Sequence, residues 1–246
     1  MRFTGTVALV TGAGSGIGRA VTHRLVAEGG AVLAVDVDAA RLDDTRAHAP
    51  DQIQAFGADL ADPDACAAAV GACIDRFGRL DVLGNVAGIY LAAHTTETTR
   101  EQYRRVMAVN LDAPFFLTQA AIPHLLASGG NIVTIASNSG VHGVPYSAAY
   151  SMTKGGVIAM TRSLAVELIK TPVRVNAIAP AGVRTNIATG TTFPTGLDPD
   201  LLKRMSGLRG IAEPEEVAAL FAFLASSEAR SVTGAVYTID NGLTVS

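Results

Sequence analysis

Short, nearly continuous apolar runs recur along this chain. Examples are residues 6–12, 31–38, 131–137 and 173–180. These runs do not alternate apolar and polar positions, so they indicate strands buried on both faces, as in a parallel sheet. Segments with helical spacing lie between them, including 111–128 and 147–169. The pattern predicts one α/β domain over residues 1–246: a Rossmann-type, doubly wound parallel sheet of about seven strands with helices on both faces.

A Gly/Thr/Pro-rich stretch follows the run at 173–180 and has no clear periodicity between residues 185 and 199. Doubly wound sheets bind ligands at the carboxyl ends of their strands. Long loops at that edge commonly close over a ligand. We therefore predict a substrate loop, or lid, over residues 185–212.

Composition and net charge limit the classes of molecule that we expect as binding partners. The formal net charge is −3 and Lys and Arg form no dense cluster, so we predict no nucleic acid and no membrane surface as partner. The first residues do not resemble a signal peptide, and no apolar run reaches about 18 residues. Cys66 and Cys73 would lie roughly 10 Å apart on one helix, with no zinc spacing. We expect a cytoplasmic protein with no metal site, in which both cysteines are core residues.

Glycines after the first strand indicate a phosphate site. Gly12, Gly16 and Gly18 lie where a strand ends and a helix begins. Glycine lets the backbone approach a pyrophosphate, and the helix N-terminus supplies unpaired N–H groups and a positive dipole end. This spacing differs from G-x-G-x-x-G, because position 17 is Ile.

A carboxylate ends the second strand. Asp36 could accept both ribose hydroxyls of an adenosine and would repel a 2′-phosphate, which favours NAD over NADP. Arg19 and Arg41 are near enough in sequence to weaken that preference. Asp59, at the end of the third strand, could hold the adenine amino group.

A tyrosine and a lysine four residues apart share one helix face. Tyr150 has an ordinary pKa of about 10, too high for a base near neutral pH. A nearby Lys154 ammonium and a positive nicotinamide ring would lower it. Ser137, thirteen residues earlier, could bond the substrate oxygen, and Asn110 could bind a water that passes protons to Lys154.

As a set, these motifs resemble the short-chain dehydrogenase/reductase family. The resemblance implies hydride transfer between nicotinamide and a carbinol carbon, with Tyr150 as general acid/base and with Lys154, Ser137 and Asn110 in support. The Tyr-x3-Lys spacing differs from that of the enoyl-reductase branch. The resemblance also implies a larger set of cofactor-binding residues: Gly12, Ser15, Gly16, Ile17, Gly18, Asp36, Asp59, Leu60, Asn85, Ala87, Gly88, Tyr150, Lys154, Pro180, Val183 and Thr185.

The substrate is expected to be neutral and partly apolar, a secondary alcohol or its ketone. Residues 186–197 carry no charge, whereas an anionic substrate would need Arg or Lys there. The candidate substrate-binding residues are Ser139, His142, Val144, Tyr146, His94 and Ile187.

Two alternatives stay open. One is a 3-oxoacyl-(acyl carrier protein) reductase that uses NADPH. The turn before residue 131 lacks the basic residues that such docking needs, although Arg104, Arg105 or Lys170 could serve. The other is a non-catalytic dinucleotide-binding sensor, which is disfavoured because all four catalytic groups are present.

The resemblance further implies a homotetramer, or a homodimer, that pairs through helices 111–128 and 147–169.

Overall fold

The sheet is the framework of the molecule. The computed structural model describes residues 1–185, 193–205 and 209–245. Within them, seven parallel strands pair in the order β3-β2-β1-β4-β5-β6-β7. This confirms the predicted doubly wound sheet. The strands are β1 Val7–Thr11, β2 Ala31–Asp36, β3 Ile53–Gly57, β4 Val82–Asn85, β5 Asn131–Ile135, β6 Arg174–Pro180 and β7 Val236–Ile239.

Helices connect the strands and cover both faces of the sheet. They are α1 Gly16–Ala27, α2 Ala39–Ala47, α3 Pro63–Phe77, α4 Arg100–Met107, α5 Ala113–Ser128, α6 Ala148–Glu167, α7 Pro199–Leu202 and α8 Pro214–Ala225. Short 3-10 turns lie at Asn138–Gly140, Lys203–Met205, Ser227–Ala229 and Leu243–Val245. The single turn of α7 falls inside the predicted lid.

Two buried clusters hold the layers together, one on each face of the sheet. Successive residues of a strand point to opposite faces, so Val10 packs toward α1 and α8 whereas Leu9 packs toward α3 and α5. Phe221 of α8 is fully buried in the first cluster. Cys66 and Cys73 are free and buried in the second, as the sequence predicted, and burial raises their thiol pKa values to about 11 and 12.

The helix predicted to begin at residue 111 begins earlier. Thr99 and Gln102 form a capping box that starts α4, since each side chain bonds the other's backbone N–H. The chain then stays helical through a π turn at Ala108–Asp112 before α5. The expected start was wrong because the apolar pattern marks only the buried α5 and misses the largely exposed, polar α4.

The strands end at one edge of the sheet, where the connecting loops form a cleft. None of the helices in the described ranges is both long and apolar enough to cross a membrane.

Candidate active site

A cleft of about 780 Å³ runs along the carboxyl edge of the sheet. Most residues predicted to bind a cofactor line it: Gly12, Ser15, Gly16, Ile17, Gly18, Asp36, Asp59, Leu60, Ala87, Gly88, Tyr150, Lys154, Pro180, Val183 and Thr185. Ser137 lines the same cleft. Residues from across the sequence therefore meet in one place.

The glycine loop after β1 is closely packed against its surroundings. A Cβ on Gly12, whose φ is +65°, would lie 2.9 Å from Ala87 Cα, and one on Gly18 would lie 2.1 Å from Gly12 O. Ser15 caps α1 without a side-chain bond to its first N–H groups, and no acidic residue occupies the first turn. Those N–H groups and the dipole end therefore suit an anion such as a pyrophosphate.

Asp36 is held at the end of β2 by backbone donors. Its Oδ2 accepts from Gly14 N at 2.9 Å, and its Oδ1 accepts from Asp38 N at 3.0 Å. Each oxygen keeps capacity for a further bond from a ribose hydroxyl. Gly14 was missed in the sequence. A Cβ there would lie 2.9 Å from Asp36 Cγ, so glycine is what lets the loop reach the carboxylate.

The two arginines near Asp36 are engaged with the protein. Arg19 donates to Gly14 O at 2.5 Å and to Thr45 Oγ1 and Arg41 O, both at 3.0 Å. Arg41 lines the cleft but pairs with Asp38 at 3.1 Å. Both guanidinium groups therefore already bond oxygen atoms of the protein.

Asp59 pairs across the cleft with Arg105 of α4. Both carboxylate oxygens accept from Arg105 Nη1, at 3.0 and 2.8 Å, and this bond lowers the Asp59 pKa. Asp59 is therefore already partnered by an arginine that the sequence did not link to it.

Two predicted asparagines lie behind the cleft surface. Asn85 is buried in β4 and donates to Thr118 Oγ1 at 3.3 Å, so it does not line the cleft as predicted. Asn110 lies in the π turn, where its carboxamide accepts from Ile89 N and donates to Ile89 O, both at 2.8 Å. A helical π turn often marks a functional position. Here it turns Asn110 toward the loop beside Lys154.

Lys154 and Tyr150 face the cleft from α6, one turn apart. Lys154 is 4% exposed, donates to Ile135 O at 2.8 Å, and has its pKa lowered to about 8 by burial. Its Nζ lies 5.8 Å from the Tyr150 ring centroid.

The Tyr150 pKa moves in the direction opposite to our expectation. Burial raises it to about 12, and Ser137 opposes this only in part. We expected Lys154 to lower the Tyr150 pKa, and for the protein without a bound dinucleotide this was wrong. Burial disfavours both the charged phenolate of Tyr150 and the charged ammonium of Lys154.

Tyr90 is a cleft residue that the sequence did not single out. Its ring meets Tyr150 edge-on, with centroids 4.8 Å apart, and its hydroxyl lies 2.6 Å from Ser147 Oγ. It also raises the Tyr150 pKa. Its position directly after Gly88 and Ile89, in a loop expected near the pocket, was the available signal.

The substrate candidates divide into two groups. Ser139 and Val144 line the cleft, together with Phe193, Leu202, Met205 and Ile211, which belong to the predicted lid but were not predicted individually. His94, His142 and Tyr146 are not among the residues that line the described cleft, and their role in substrate binding stays a prediction. Ile187 lies outside the described residues.

His94 and Tyr146 contact the lid segment instead of the cleft. The Tyr146 hydroxyl accepts from Asp198 N at 2.9 Å, and His94 Nε2 lies 3.0 Å from Thr195 O. The two rings meet edge-on, with centroids 5.2 Å apart. The sequence predicted His94 and Tyr146 as substrate-binding residues because they lie in loops expected near the pocket. In the structure their side chains contact the neighbouring lid segment.

Comparison with known proteins agrees with this geometry. Residues 12–244 match the family model described as Enoyl-(Acyl carrier protein) reductase. The meso-2,3-butanediol dehydrogenase of Serratia marcescens is 37% identical over 247 residues, covering 100% of this chain and 97% of its own. Levodione reductase is 33% identical with a TM-score of 0.91, covering 100% of both chains.

A further solved structure is the 3-ketoacyl-(acyl-carrier-protein) reductase from Brucella melitensis complexed with NADH. It is 32% identical with a TM-score of 0.89, covering 98% of this chain and 99% of that one. The described cleft, its glycine loop and its Tyr150-x3-Lys154 pair agree with these likenesses over nearly the whole length. This chain belongs to the short-chain dehydrogenase/reductase family of oxidoreductases, which bind a nicotinamide dinucleotide.

Proposed function

We propose that this protein interconverts a neutral secondary alcohol and its ketone, using NAD(H). One observation carries the proposal: Ser137, Tyr150 and Lys154 line the same cleft as the glycine loop and Asp36. The names of two relatives, a butanediol dehydrogenase and a levodione reductase, support a small, neutral substrate.

The bound dinucleotide would supply or accept the hydride. For ketone reduction, Tyr150 donates its proton to the carbonyl oxygen and Ser137 donates a hydrogen bond to the same atom. A pKa of about 12 keeps Tyr150 protonated for this role at neutral pH. Alcohol oxidation needs the phenolate, so positive charge near Tyr150, from Lys154 and from an oxidised nicotinamide, would have to offset its burial.

The preference for NAD rests on Asp36. Its carboxylate ends β2 with capacity for ribose hydroxyls, and like charge would repel a 2′-phosphate. Arg19 and Arg41 are occupied by protein acceptors and by Asp38, so they offer that phosphate little compensation.

The substrate end of the cleft favours a neutral molecule. Val144, Phe193, Leu202, Met205 and Ile211 supply apolar surface around Ser137 and Tyr150. The lining residues that carry a full charge, other than Lys154, lie at the adenosine end: Asp36, Arg41, Asp59 and Arg105. A charged substrate would therefore lack a partner in the described part of this end.

The decisive experiment titrates the protein with NADH and NADPH and then adds ketones, hydroxyketones and diketones while following NADH absorbance. We expect NADH to bind more tightly and to be consumed with at least one carbonyl compound. Tight NADH binding without turnover on any carbonyl compound, acyl thioesters included, would favour the sensor.

A reductase acting on acyl carrier protein is the alternative within the family. The Brucella melitensis neighbour favours it by name. Against it, Arg105, one of the basic residues available for docking, is bound to Asp59. Faster turnover of a 3-oxoacyl carrier protein with NADPH than of any free ketone with NADH would replace our proposal.

Assembly through α5 and α6 is part of the same proposal. Apolar side chains lie exposed along or just after these helices, including Phe115 at 49%, Met152 at 55%, Val166 at 73% and Ile169 at 61% exposed. Such surface favours a homotetramer or homodimer that buries it. Light scattering after size-exclusion chromatography tests this, and a monomer at micromolar concentration would contradict it.

A further inference from the structure

The Ser137 hydroxyl, which also bonds the Tyr150 hydroxyl, lies in a small polar network. Ser137 caps the 3-10 turn Asn138–Gly140, and its Oγ accepts from Ser139 N at 3.1 Å. Its proton has protein acceptors within reach: Asn138 Oδ1 at 3.2 Å, Ser139 Oγ at 3.3 Å and Pro180 O at 3.5 Å. A proton given to any of these is not available to a substrate oxygen.

Asn138 connects this hydroxyl to a histidine. The Asn138 side chain lines the cleft and is only 6% exposed. Its Oδ1 faces Ser137, and its Nδ2 lies 3.0 Å from His142 Nε2. His142 is fixed beside it, because His142 N donates to Asn138 O at 2.9 Å. A carboxamide thus lies between Ser137 and His142 with a hydrogen bond at each end.

The oxygen of that carboxamide accepts hydrogen bonds, and its nitrogen donates them. When His142 Nε2 is the acceptor, Asn138 presents Nδ2 to it and Oδ1 to Ser137, which draws the hydroxyl proton into the protein. When His142 Nε2 carries a proton, the carboxamide must turn over so that Oδ1 accepts from His142. Nδ2 then donates to Ser137 Oγ.

The second arrangement removes Asn138 Oδ1 as an acceptor for the Ser137 proton. Oγ then accepts from both Ser139 N and Asn138 Nδ2, and only the longer contacts to Ser139 Oγ at 3.3 Å and Pro180 O at 3.5 Å compete with a substrate oxygen for its O–H. We propose that His142 and Asn138 are positioning residues that set, through the orientation of the Asn138 carboxamide, whether Ser137 donates into the protein or to the substrate. This rests on the proposed function, in which Ser137 bonds the reacting oxygen.

Variants at position 142 separate the two arrangements. Glu accepts only, so His142→Glu holds Oδ1 on Ser137, and we expect kcat for ketone reduction to fall about tenfold. Gln can donate or accept, so His142→Gln should stay within about twofold of the unaltered protein. KM for the ketone and the Kd of NADH should change little in either variant.

The Asn138→Leu background separates orientation from charge. Without a carboxamide, His142→Glu and His142→Gln should give the same kcat. A tenfold difference that persists in Asn138→Leu would show that the added charge acts directly, which would overturn the inference. Equal kcat for both variants in the Asn138 background would also overturn it.

A second measurement needs neither turnover nor the Leu variant. Asn138→Asp is nearly isosteric but cannot donate, so His142 Nε2 must carry a proton to bond it, whereas the Asn138 carboxamide can bond Nε2 with or without that proton. Nitrogen-15 NMR of the His142 ring should show this change at Nε2. Identical spectra would mean that no bond links the two side chains, which would overturn the inference.

The kinetic controls keep the two proposals apart. If the unaltered protein reduces ketones and Tyr150→Phe does not, the proposed function stands, and the variants at 142 then judge the inference alone. If no ketone is reduced, the proposed function fails, and the NMR comparison still decides whether the Asn138 side chain bonds His142 Nε2.

Discussion

The two halves of the cleft are built in different ways. The cofactor half comes from short turns at the ends of β1 to β4, where neighbouring strands fix each other. Thr11 Oγ1, for example, accepts from both Val86 N and Ala87 N at 2.9 Å, which ties the end of β1 to the turn after β4. Its lining groups include glycines, backbone N–H groups and the carboxylates of Asp36 and Asp59.

The substrate half comes from longer loops after β4, β5 and β6. Here the contacts run from loop to loop, as between Tyr146 and Asp198 or between His94 and Thr195. Tyr146 has a φ of +58°, a left-handed conformation that costs a non-glycine residue of order 1 kcal/mol or more. Such strain persists only where surrounding contacts hold it, and here those contacts lead to the lid segment.

The difference indicates that the two halves of the cleft have separate roles. The cofactor half depends on backbone geometry that many side chains leave unchanged, whereas the substrate half depends on individual side chains in loops. Changes in the substrate half should therefore alter turnover or KM and spare dinucleotide binding, and changes in the cofactor half should do the reverse.

The largest expected effect belongs to Tyr150→Phe. Removing the phenol removes the proton donor, so kcat for ketone reduction should fall by about 10³-fold. The Kd of NADH, measured by fluorescence, should change by less than about threefold, because the ring remains and the dinucleotide is held mainly by the other half.

Tyr90→Phe is the matched control. It removes a second phenol from the same cleft, one whose hydroxyl bonds Ser147 and not the reacting position. Loss of NADH binding in Tyr150→Phe would argue against the separation of the halves, and an equal loss of kcat in Tyr90→Phe would argue against Tyr150 as the specific proton donor.

The next effect concerns the stability of the fold around Lys154, which α6 places between the halves. Its pKa is lowered from 10.5 to about 8, so between those values the unfolded chain holds a proton that the folded chain has released. The free energy of unfolding therefore rises with pH in this window. Relative to Lys154→Met, the unaltered protein should gain up to about 3 kcal/mol between pH 7 and pH 10.5.

Urea unfolding of both proteins at the two pH values measures this gain. Lys170→Met serves as the control, because Lys170 is exposed and its removal should leave the pH dependence unchanged. A difference between the unaltered protein and Lys154→Met that stays constant with pH would mean that the Lys154 ammonium is not desolvated.

The sequence predicted the cofactor half better than the substrate half. Continuous apolar runs located the strand ends, and the spacing of Gly12, Gly16 and Gly18 predicted a phosphate loop there. These signals are local, since each reports the conformation of its own few residues. The fold followed from the same patterns, apart from α4, whose polar surface hides its helical period.

The substrate half could not be predicted in this way, because its contacts join residues far apart in the sequence. Tyr146 and Asp198 are 52 positions apart, and His94 and Thr195 are 101 apart. No pattern within a single loop indicates that the His94 and Tyr146 side chains turn toward the lid segment. The raised pKa of Tyr150 was missed for a related reason, since burial depends on the whole fold.

A moderate effect is expected from Asp36→Ala in the cofactor half. The change removes both the carboxylate that would bind ribose and the charge that would repel a 2′-phosphate. The ratio of Kd for NADPH to Kd for NADH should fall by roughly tenfold to a hundredfold, or about 1.4 to 3 kcal/mol. Fluorescence titrations of both dinucleotides measure it.

Asp43→Ala is the control for net charge. Asp43 is an exposed carboxylate on α2, the helix that follows β2 and Asp36. An unchanged ratio in Asp36→Ala, or an equal change in Asp43→Ala, would mean that Asp36 does not select the dinucleotide and that the cofactor half discriminates by another group.

The smallest expected effect is the sharpest test of the comparison. Tyr146→Phe keeps the ring against His94 and removes only the hydroxyl that accepts from Asp198 N. One such hydrogen bond contributes about 1 kcal/mol, so KM for the ketone should rise about fivefold. Tyr103→Phe, at a partly exposed tyrosine on α4, should leave KM unchanged. A rise in the Kd of NADH instead would show that the lid contact supports the cofactor half, and the two halves would then act as one unit.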